Sequence, residues 1–280
     1  MLPDLEQRNV QQLEDLNQRG GRMLTVVDLI EAGTLSADMA ATVMYALAQG
    51  ASLLTAARPG GAGKTTLLAA FLNLLPPGVK IITVDSPSVV RQALSVSSTT
   101  PECFLVHEIG DGHWYGYLWG RPVADYFRLI GNRRRIASCL HADTFQELTE
   151  ILLGPPLGVA RDDLDRVGLF AFIHVDFSAS RGYRTRRRVA SLECRAPFVP
   201  RNFRFVWDPV ADDFTVALHD DGKNAYAATG DDLADWFASP VCELFRQFIA
   251  GLMEKNARYL ADVRKEVLAF YREHPELIRR

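Results

Sequence analysis

The sequence predicts an α/β fold with a mainly parallel sheet and helices on both faces, followed by β-hairpins and a long helix. Up to residue 168, short apolar runs typical of buried strands alternate with segments of helical periodicity. After that point, strand-like runs follow one another around polar turns, which indicates antiparallel pairing. A late segment with apolar residues at i, i+3 and i+4 predicts the long amphipathic helix.

The individual elements can be assigned in chain order. Residues 1–22 are polar and predict a helix or a loose arm, and Ser36 is a candidate N-cap for a helix that ends near Gly50. The next helix is predicted over Thr65–Leu75, before two prolines, and the long helix is predicted to begin at Pro240. The predicted strands cover residues 52–56, 79–85, 103–109 and 136–140, with hairpins over 169–194 and 203–218. We therefore expect an N-terminal arm (1–22), a core (23–168), a hairpin part (169–218) and a C-terminal loop and helical segment (219–280).

Composition narrows the class of protein. With 48% hydrophobic and 23% charged residues, the 280-residue chain is typical of a globular protein with a sizeable core. A net charge of -3 argues against a nucleic-acid-binding protein, which usually carries an excess of basic residues. We expect no nucleic-acid partner.

The N-terminal residues, the lack of long apolar runs and the cysteine pattern predict a protein of a reducing compartment. Residues 1–22 lack the apolar core of a signal peptide, and no run reaches the roughly 18 apolar residues that span a bilayer. The four cysteines lie far apart in sequence, without zinc-site spacing, so we expect buried free thiols. The predicted location is cytoplasmic, with any attachment to the inner face of a membrane made through partners.

A glycine-rich segment between a predicted strand and a predicted helix carries the strongest chemical signal. The segment contains Gly60, Gly61, Ala62, Gly63, Lys64, Thr65 and Thr66. Small residues let backbone amides face phosphate oxygens, Lys64 is placed to contact the β- and γ-phosphates, and Thr65 is placed to bind Mg²⁺. Arg58 stands where the usual pattern begins with glycine. The alternative interpretation is a glycine turn without a ligand, and we expect a phosphate-binding loop (P-loop) for ATP and Mg²⁺.

Three further polar residues lie at the carboxyl ends of predicted strands and are therefore expected at the same sheet edge as the loop. Glu108 is a candidate for binding Mg²⁺ or polarising water, although a carboxylate at a strand end can simply face solvent. Asp85 is a second candidate acid, and His141 is a candidate γ-phosphate contact that could equally be structural. His107, inside the strand that ends in Glu108, is interpreted as local packing.

These segments together resemble the secretion ATPase superfamily, which powers type II and type IV secretion, type IV pili and archaeal flagella, and the similarity is clearest to the archaeal and tight-adherence branches. Residues 81–87 are similar to the Asp box of that family, 104–109 to its Walker B strand and 138–144 to its His box, and the similarity covers about residues 24–218. The resemblance implies a RecA-like core, Mg²⁺-dependent ATP hydrolysis coupled to protein export or fibre assembly, and His141 near the γ-phosphate. It also implies a hexameric ring and a membrane-embedded secretion or pilus platform as partner.

Several positions depart from the family pattern. Asp85 and Ser86 stand where the Asp box has Glu and Asp, residues 110–113 replace the usual flank of the Walker B strand, and the span between Asp85 and Glu108 is short. The resemblance leads us to expect that this sequence lacks most of the N-terminal domain that supplies arginines to a neighbouring subunit in that family. These departures favour nucleotide binding over efficient hydrolysis and keep a nucleotide-binding regulator or scaffold as the alternative. A P-loop protein that acts on DNA or RNA is the third hypothesis, which the acidic balance disfavours.

Two runs of three arginines, Arg133–Arg135 and Arg186–Arg188, are also present. Such runs are usually solvated faces. The functional alternative is that one of them supplies an arginine to a phosphate or to a neighbouring active site.

Overall fold

A computed structural model describes residues 2–17, 20–131, 133–176, 185–218 and 231–279. One sheet of nine strands forms its centre, with the order β2-β3-β5-β1-β6-β7-β8-β9 and a short β4 beside β3. The strands are β1 (Leu53–Ala56), β2 (Lys80–Thr83), β3 (Glu102–Ile109), β4 (Tyr117–Leu118), β5 (Arg134–Leu140), β6 (Leu169–Asp176), β7 (Arg186–Cys194), β8 (Phe203–Asp208) and β9 (Asp213–Leu218).

Strand direction divides this sheet into two parts. From β2 to β6 every neighbouring pair is parallel, and from β6 to β9 every pair is antiparallel. The predicted parallel core followed by hairpins is therefore confirmed. The predicted turn over residues 178–182 and most of the predicted loop over 219–232 lie outside the described residues.

Helices cover both faces of the sheet, as the α/β prediction requires. The helices are α1 (Asp4–Asp15), α2 (Val26–Glu31), α3 (Ala37–Ala48), α4 (Lys64–Leu72), α5 (Pro87–Ser95), α6 (Pro122–Phe127), α7 (Phe145–Leu153), α8 (Arg161–Leu164), α9 (Asp231–Ala238), α10 (Pro240–Glu254) and α11 (Leu260–Glu273), with a 3-10 turn at Pro275–Leu277. One apolar core joins the sheet to α1–α4, α10 and α11, and a second core joins the other face to α5–α8. The long helix predicted from Pro240 is α10, whereas α5–α9 and α11 were not predicted individually.

The polar N-terminal helix α1 lies against the edge strand β2. Side-chain amides replace the missing neighbouring strand: Asn9 bonds the Val79 carbonyl and the Ile81 amide. Gln12 bonds the Ile81 carbonyl and the Thr83 amide in the same way. Backbone groups on a sheet edge need such partners when water is excluded. The polar side chains of α1 are therefore explained, because two of them hydrogen-bond the free backbone groups along the edge strand β2.

Helix α5 lies in the connection between β2 and β3. Ser86 precedes it and Pro87 takes its first position, where proline loses no helical hydrogen bond.

Among the described residues, no helix is long and apolar enough to cross a membrane.

Candidate functional site

The glycine-rich loop connects the end of β1 with the start of α4, which is the strand-loop-helix context that the motif requires. Gly61 and Gly63 have φ of 75° and 103°, in the left-handed region that favours glycine. Thr55 of β1 donates its hydroxyl to the Lys64 carbonyl at 3.2 Å and ties the first turn of α4 to the strand. The loop amides and the positive end of α4 thereby form a concave, anion-attracting surface.

Arg58, at the position where the usual pattern has glycine, is accommodated by pointing along α7. Its backbone is not among the positive-φ residues of the described chain, so a side chain causes no strain there. Its amide donates to Asp143 Oδ1 at 2.7 Å, and its guanidinium bonds Glu147 Oε1 at 2.5 Å. These contacts anchor the start of the loop to the segment that carries His141.

Lys64, Glu108 and His141 meet at the bottom of the loop. Lys64 Nζ lies 3.7 Å from Glu108 Oε2 and 3.3 Å from the Nε2 atom of His141. His141 Nε2 lies 3.0 Å from Glu108 Oε1, while His141 Nδ1 donates to the Arg58 carbonyl at 2.6 Å. Lys64 is only 6% exposed, so the carboxylate of Glu108 offsets the cost of burying the ammonium charge.

A cavity of about 270 Å³ opens above this cluster. It is lined by Leu16, Asn17, Met23, all seven loop residues Gly60–Thr66, His107, Glu108, Tyr117 and His141. Burial, followed by the nearby Glu108 carboxylate, raises the pKa of Tyr117 above its ordinary value, so its phenol stays protonated at neutral pH. The structure thus brings together every predicted site residue except Asp85.

Asp85 is exposed and is not among the residues that line the cavity. The reason is the strand order: β3 and β5 lie between β2 and the loop strand β1. Three strand spacings of about 4.8 Å correspond to roughly 14 Å of lateral separation between β2 and β1. The expectation that a residue after β2 would share the sheet edge is met, but the edge is too wide to bring Asp85 to the loop.

His107 is a cavity residue that the packing interpretation underestimated. Its side chain packs beside the Tyr115 ring and over Gly116, where any Cβ would lie 2.5 Å from the imidazole. Yet the residue is 2% exposed, and neither ring nitrogen has a hydrogen-bond partner in the described chain. Burial lowers the pKa of His107 and keeps it neutral. A histidine inside an otherwise apolar strand was the available signal.

No family model and no curated protein sequence matches the chain. The VirB11 ATPase of the Brucella suis type IV secretion system, solved with sulphate, is similar at 18% identity and a TM-score of 0.38, over 65% of this chain and 61% of that one. The Legionella pneumophila ATPase DotB is similar at 12% identity and a TM-score of 0.37, over 80% of this chain and 62% of that one. The matched part is therefore about three fifths of each solved protein.

The second arginine run lies beside the loop, where it lines a cavity together with Gly61, Ala62 and Gly63. Arg186 and Arg188 pair with Asp212, at 3.1 and 2.8 Å, and Arg186 also pairs with Asp176. Arg187 is exposed, and its Nη2 lies 3.5 Å from the Gly61 carbonyl. The interpretation of this run as a solvated face is therefore wrong for Arg188, which is 9% exposed.

The residues present fit a phosphate-bearing ligand. Backbone amides and Lys64 supply positive charge, and the buried, unpartnered nitrogens of His107 leave hydrogen-bonding capacity at the cavity wall. In the described part of the chain, no three His, Cys, Asp or Glu residues form a group that could hold a metal alone. Mg²⁺ at this site would need phosphate oxygens as well, as it commonly does.

Proposed function

We propose that this chain binds ATP with Mg²⁺ at the loop over residues 60–66 and hydrolyses it as the motor ATPase of a type II or type IV secretion or pilus-like assembly system. The observation that carries the proposal is the cluster of Lys64, Glu108 and His141 beneath a glycine-rich loop at a helix start. The choice of system rests on the order of the sequence motifs.

The residues divide between binding and positioning. The amides of Gly60–Thr66 and the ammonium of Lys64 bind the phosphates, with Thr65 and Glu108 as protein ligands for Mg²⁺. Mg²⁺ held by these residues and the phosphates would supply positive charge to the transferred phosphoryl group. Phosphate oxygens would compete with Glu108 for Lys64, and this exchange would free the carboxylate to bind Mg²⁺ or to orient a water molecule. His141, held by the Arg58 carbonyl, is positioned to contact the γ-phosphate.

The same proposal includes an assembly. A cytoplasmic hexameric ring that docks on a membrane-embedded platform protein would place each nucleotide between neighbouring subunits. Arg187 lies beside Gly61 in the same chain, so part of the positive charge that ring ATPases obtain from a neighbour is available within one subunit. The proposed nucleotide site therefore does not depend wholly on a second copy.

A nucleotide-binding regulator or scaffold with weak or no hydrolysis is the second candidate. The observation that favours it is the position of Asp85, because an exposed carboxylate outside the cavity cannot activate water at the loop. Glu108 would then be the only acid of the pair at the cavity, and its close contacts with Lys64 and His141 would limit its freedom.

The deciding experiment is Mg²⁺-dependent phosphate release, measured for the wild type, Lys64→Ala, Glu108→Gln and the surface control Lys80→Ala over a range of protein concentrations. The motor proposal predicts turnover in the wild type and the control, and loss of roughly 100-fold or more in both site variants. ATP binding without release at any protein concentration would favour the regulator instead. Release that persists in Lys64→Ala would refute the site.

A further inference from the structure

A second cavity, of about 570 Å³, lies at the opposite end of the parallel strands from the loop. It opens around the start of β5, whereas the loop follows the end of β1, and these two strands run parallel. Its lining residues are Gln49, Gly50, Pro101, Ile130, Gly131, Arg133, Arg134, Arg135, Pro197, Phe198, Ile278 and Arg279. Four of them are arginines and none is acidic, in a chain whose net charge is -3.

Arg135 is the buried member of this cavity wall. It is 7% exposed, and its Nη1 donates to the Leu47 carbonyl near the C-terminal end of α3. Its Nε is buried and has no hydrogen-bond partner among the residues that the structure describes. Burial lowers the pKa of Arg135, and the smaller opposing effects come from Cys103 and Tyr271 rather than from a carboxylate. No carboxylate of the described residues compensates this guanidinium.

Of the neighbouring arginines, the one that points away from the cavity has a carboxylate partner, whereas those at the cavity have none among the described residues. Arg134 points to the other face of the sheet and pairs with Glu102 at 2.8 Å. Arg133 bonds only the Thr99 carbonyl among described residues, and Arg279 is exposed at the rim. Arg133, Arg135 and Arg279 thus place three positive charges around one cavity without an acid.

A structural role for Arg135 accounts for part of this arrangement. A cation at the C-terminal end of a helix is favourable, and the bond to Leu47 gives Arg135 that role at α3. It does not account for the buried Nε, because a buried donor without an acceptor is destabilising. It also does not account for the two further arginines at the same opening.

We propose that this cavity is a binding site for a small organic phosphate, separate from the loop and independent of the proposed ATPase function. The planar donor fork of arginine matches phosphate oxygens, and several arginines favour a doubly charged group. Ile130, Phe198 and Ile278 offer an apolar wall for the organic part of the ligand. The cavity volume is ample for a molecule of nucleotide size.

The test uses phenyl phosphate and inorganic phosphate as probes in calorimetric titrations of the full chain. The variants are the rim double substitution Arg133→Gln/Arg279→Gln, the wall substitution Arg135→Met and the loop substitution Lys64→Ala. The exposed pair Arg91→Gln/Arg128→Gln, which removes the same charge elsewhere, is the matched control.

The proposal predicts that phenyl phosphate binds the wild type more tightly than inorganic phosphate does. The rim variant loses at least tenfold in affinity, Arg135→Met loses binding, and the matched control and Lys64→Ala keep wild-type affinity. If Arg135→Met fails to fold, the phenyl phosphate affinity of the rim variant alone tests the proposed site. Absence of binding to the wild type, unchanged binding in the rim variant, or loss confined to Lys64→Ala would each overturn the proposal. Equal affinity for the two probes would overturn the assignment to an organic phosphate.

Discussion

The two runs of three arginines lie at opposite ends of the sheet and differ in their electrostatic partners. Arg188 is 9% exposed and holds Asp212 with two nitrogens, at 2.8 and 2.9 Å. Arg135 is 7% exposed and has no carboxylate partner in the described chain. Runs of identical composition therefore produce a neutralised network beside the proposed nucleotide loop and an uncompensated cation at the far cavity.

The role of a run of charged residues therefore depends on whether its buried members have carboxylate partners. A buried charge that is paired is costly to break, whereas a buried charge without a partner is costly to keep. The first situation is typical of a structural network and the second of a binding site. The two runs can be told apart by experiments that alter one partner at a time.

The largest expected effect comes from removing the acid of the paired network. Asp212→Asn should lower the free energy of unfolding by about 2 kcal/mol, because the buried guanidinium of Arg188 loses its ion pair. Urea denaturation measures this change, with the adjacent Asp213→Asn as control. Equal stability of the two variants would mean that the network contributes nothing.

Acid should remove the same contribution from the wild type. The Arg188 guanidinium holds the pKa of Asp212 well below its usual range. Because the folded-state pKa is depressed, the stabilisation is complete above the unfolded value of about 3.9 and is lost as pH falls through the folded value. The stability difference between wild type and Asp212→Asn should therefore be constant from about pH 7 to 5 and shrink below about pH 4. A difference that grows in acid would contradict this sign.

A smaller effect is expected for the exposed member of the paired run. Arg187→Gln should weaken binding of the non-hydrolysable analogue AMP-PNP about threefold, and less at high salt, because an exposed cation near the phosphates is screened by ions. Arg161→Gln, which removes an exposed arginine of α8, is the control. A loss of 100-fold would instead give Arg187 a role comparable to that expected of Lys64.

The smallest change in stability is expected at the unpaired run. Arg135→Met should stay within about 1 kcal/mol of the wild type, because the lost bond to Leu47 is offset by removal of an uncompensated charge. Denaturation in phosphate-free buffer measures this. If Arg135→Met is less stable than Asp212→Asn, Arg135 has a hidden partner and the comparison fails.

Much of the fold could be predicted from the sequence because the local signals agree with one another. Apolar runs marked β1, β3 and β6, and the Ser239 and Pro240 signals marked the start of α10. Helix α1 was harder to interpret, because the amides of Asn9 and Gln12 acquire their meaning only from the β2 edge, about 70 residues away. Sequence patterns contain no information about such distant partners.

The candidate site shows the same division. The loop was predicted from a local sequence motif, and Glu108 from its place at the end of an apolar strand that follows the loop in chain order. His141 was expected from the family resemblance. Asp85 was expected too near the loop because the lateral order of strands cannot be deduced from their chain order. The first arginine run looked like a solvated face, and only the position of α3 over Arg135 reveals its burial.

Binding of AMP-PNP with Mg²⁺ examines the phosphate-binding loop without requiring turnover. Calorimetric titration would compare the wild type with Lys64→Ala and with Lys80→Ala, an exposed lysine on the edge strand. The account predicts that Lys64→Ala loses roughly 100-fold in affinity, the value of a buried charge-assisted contact, while Lys80→Ala is unchanged. Absence of binding to the wild type, or equal affinity in Lys64→Ala, would contradict the assignment of the loop as a nucleotide site.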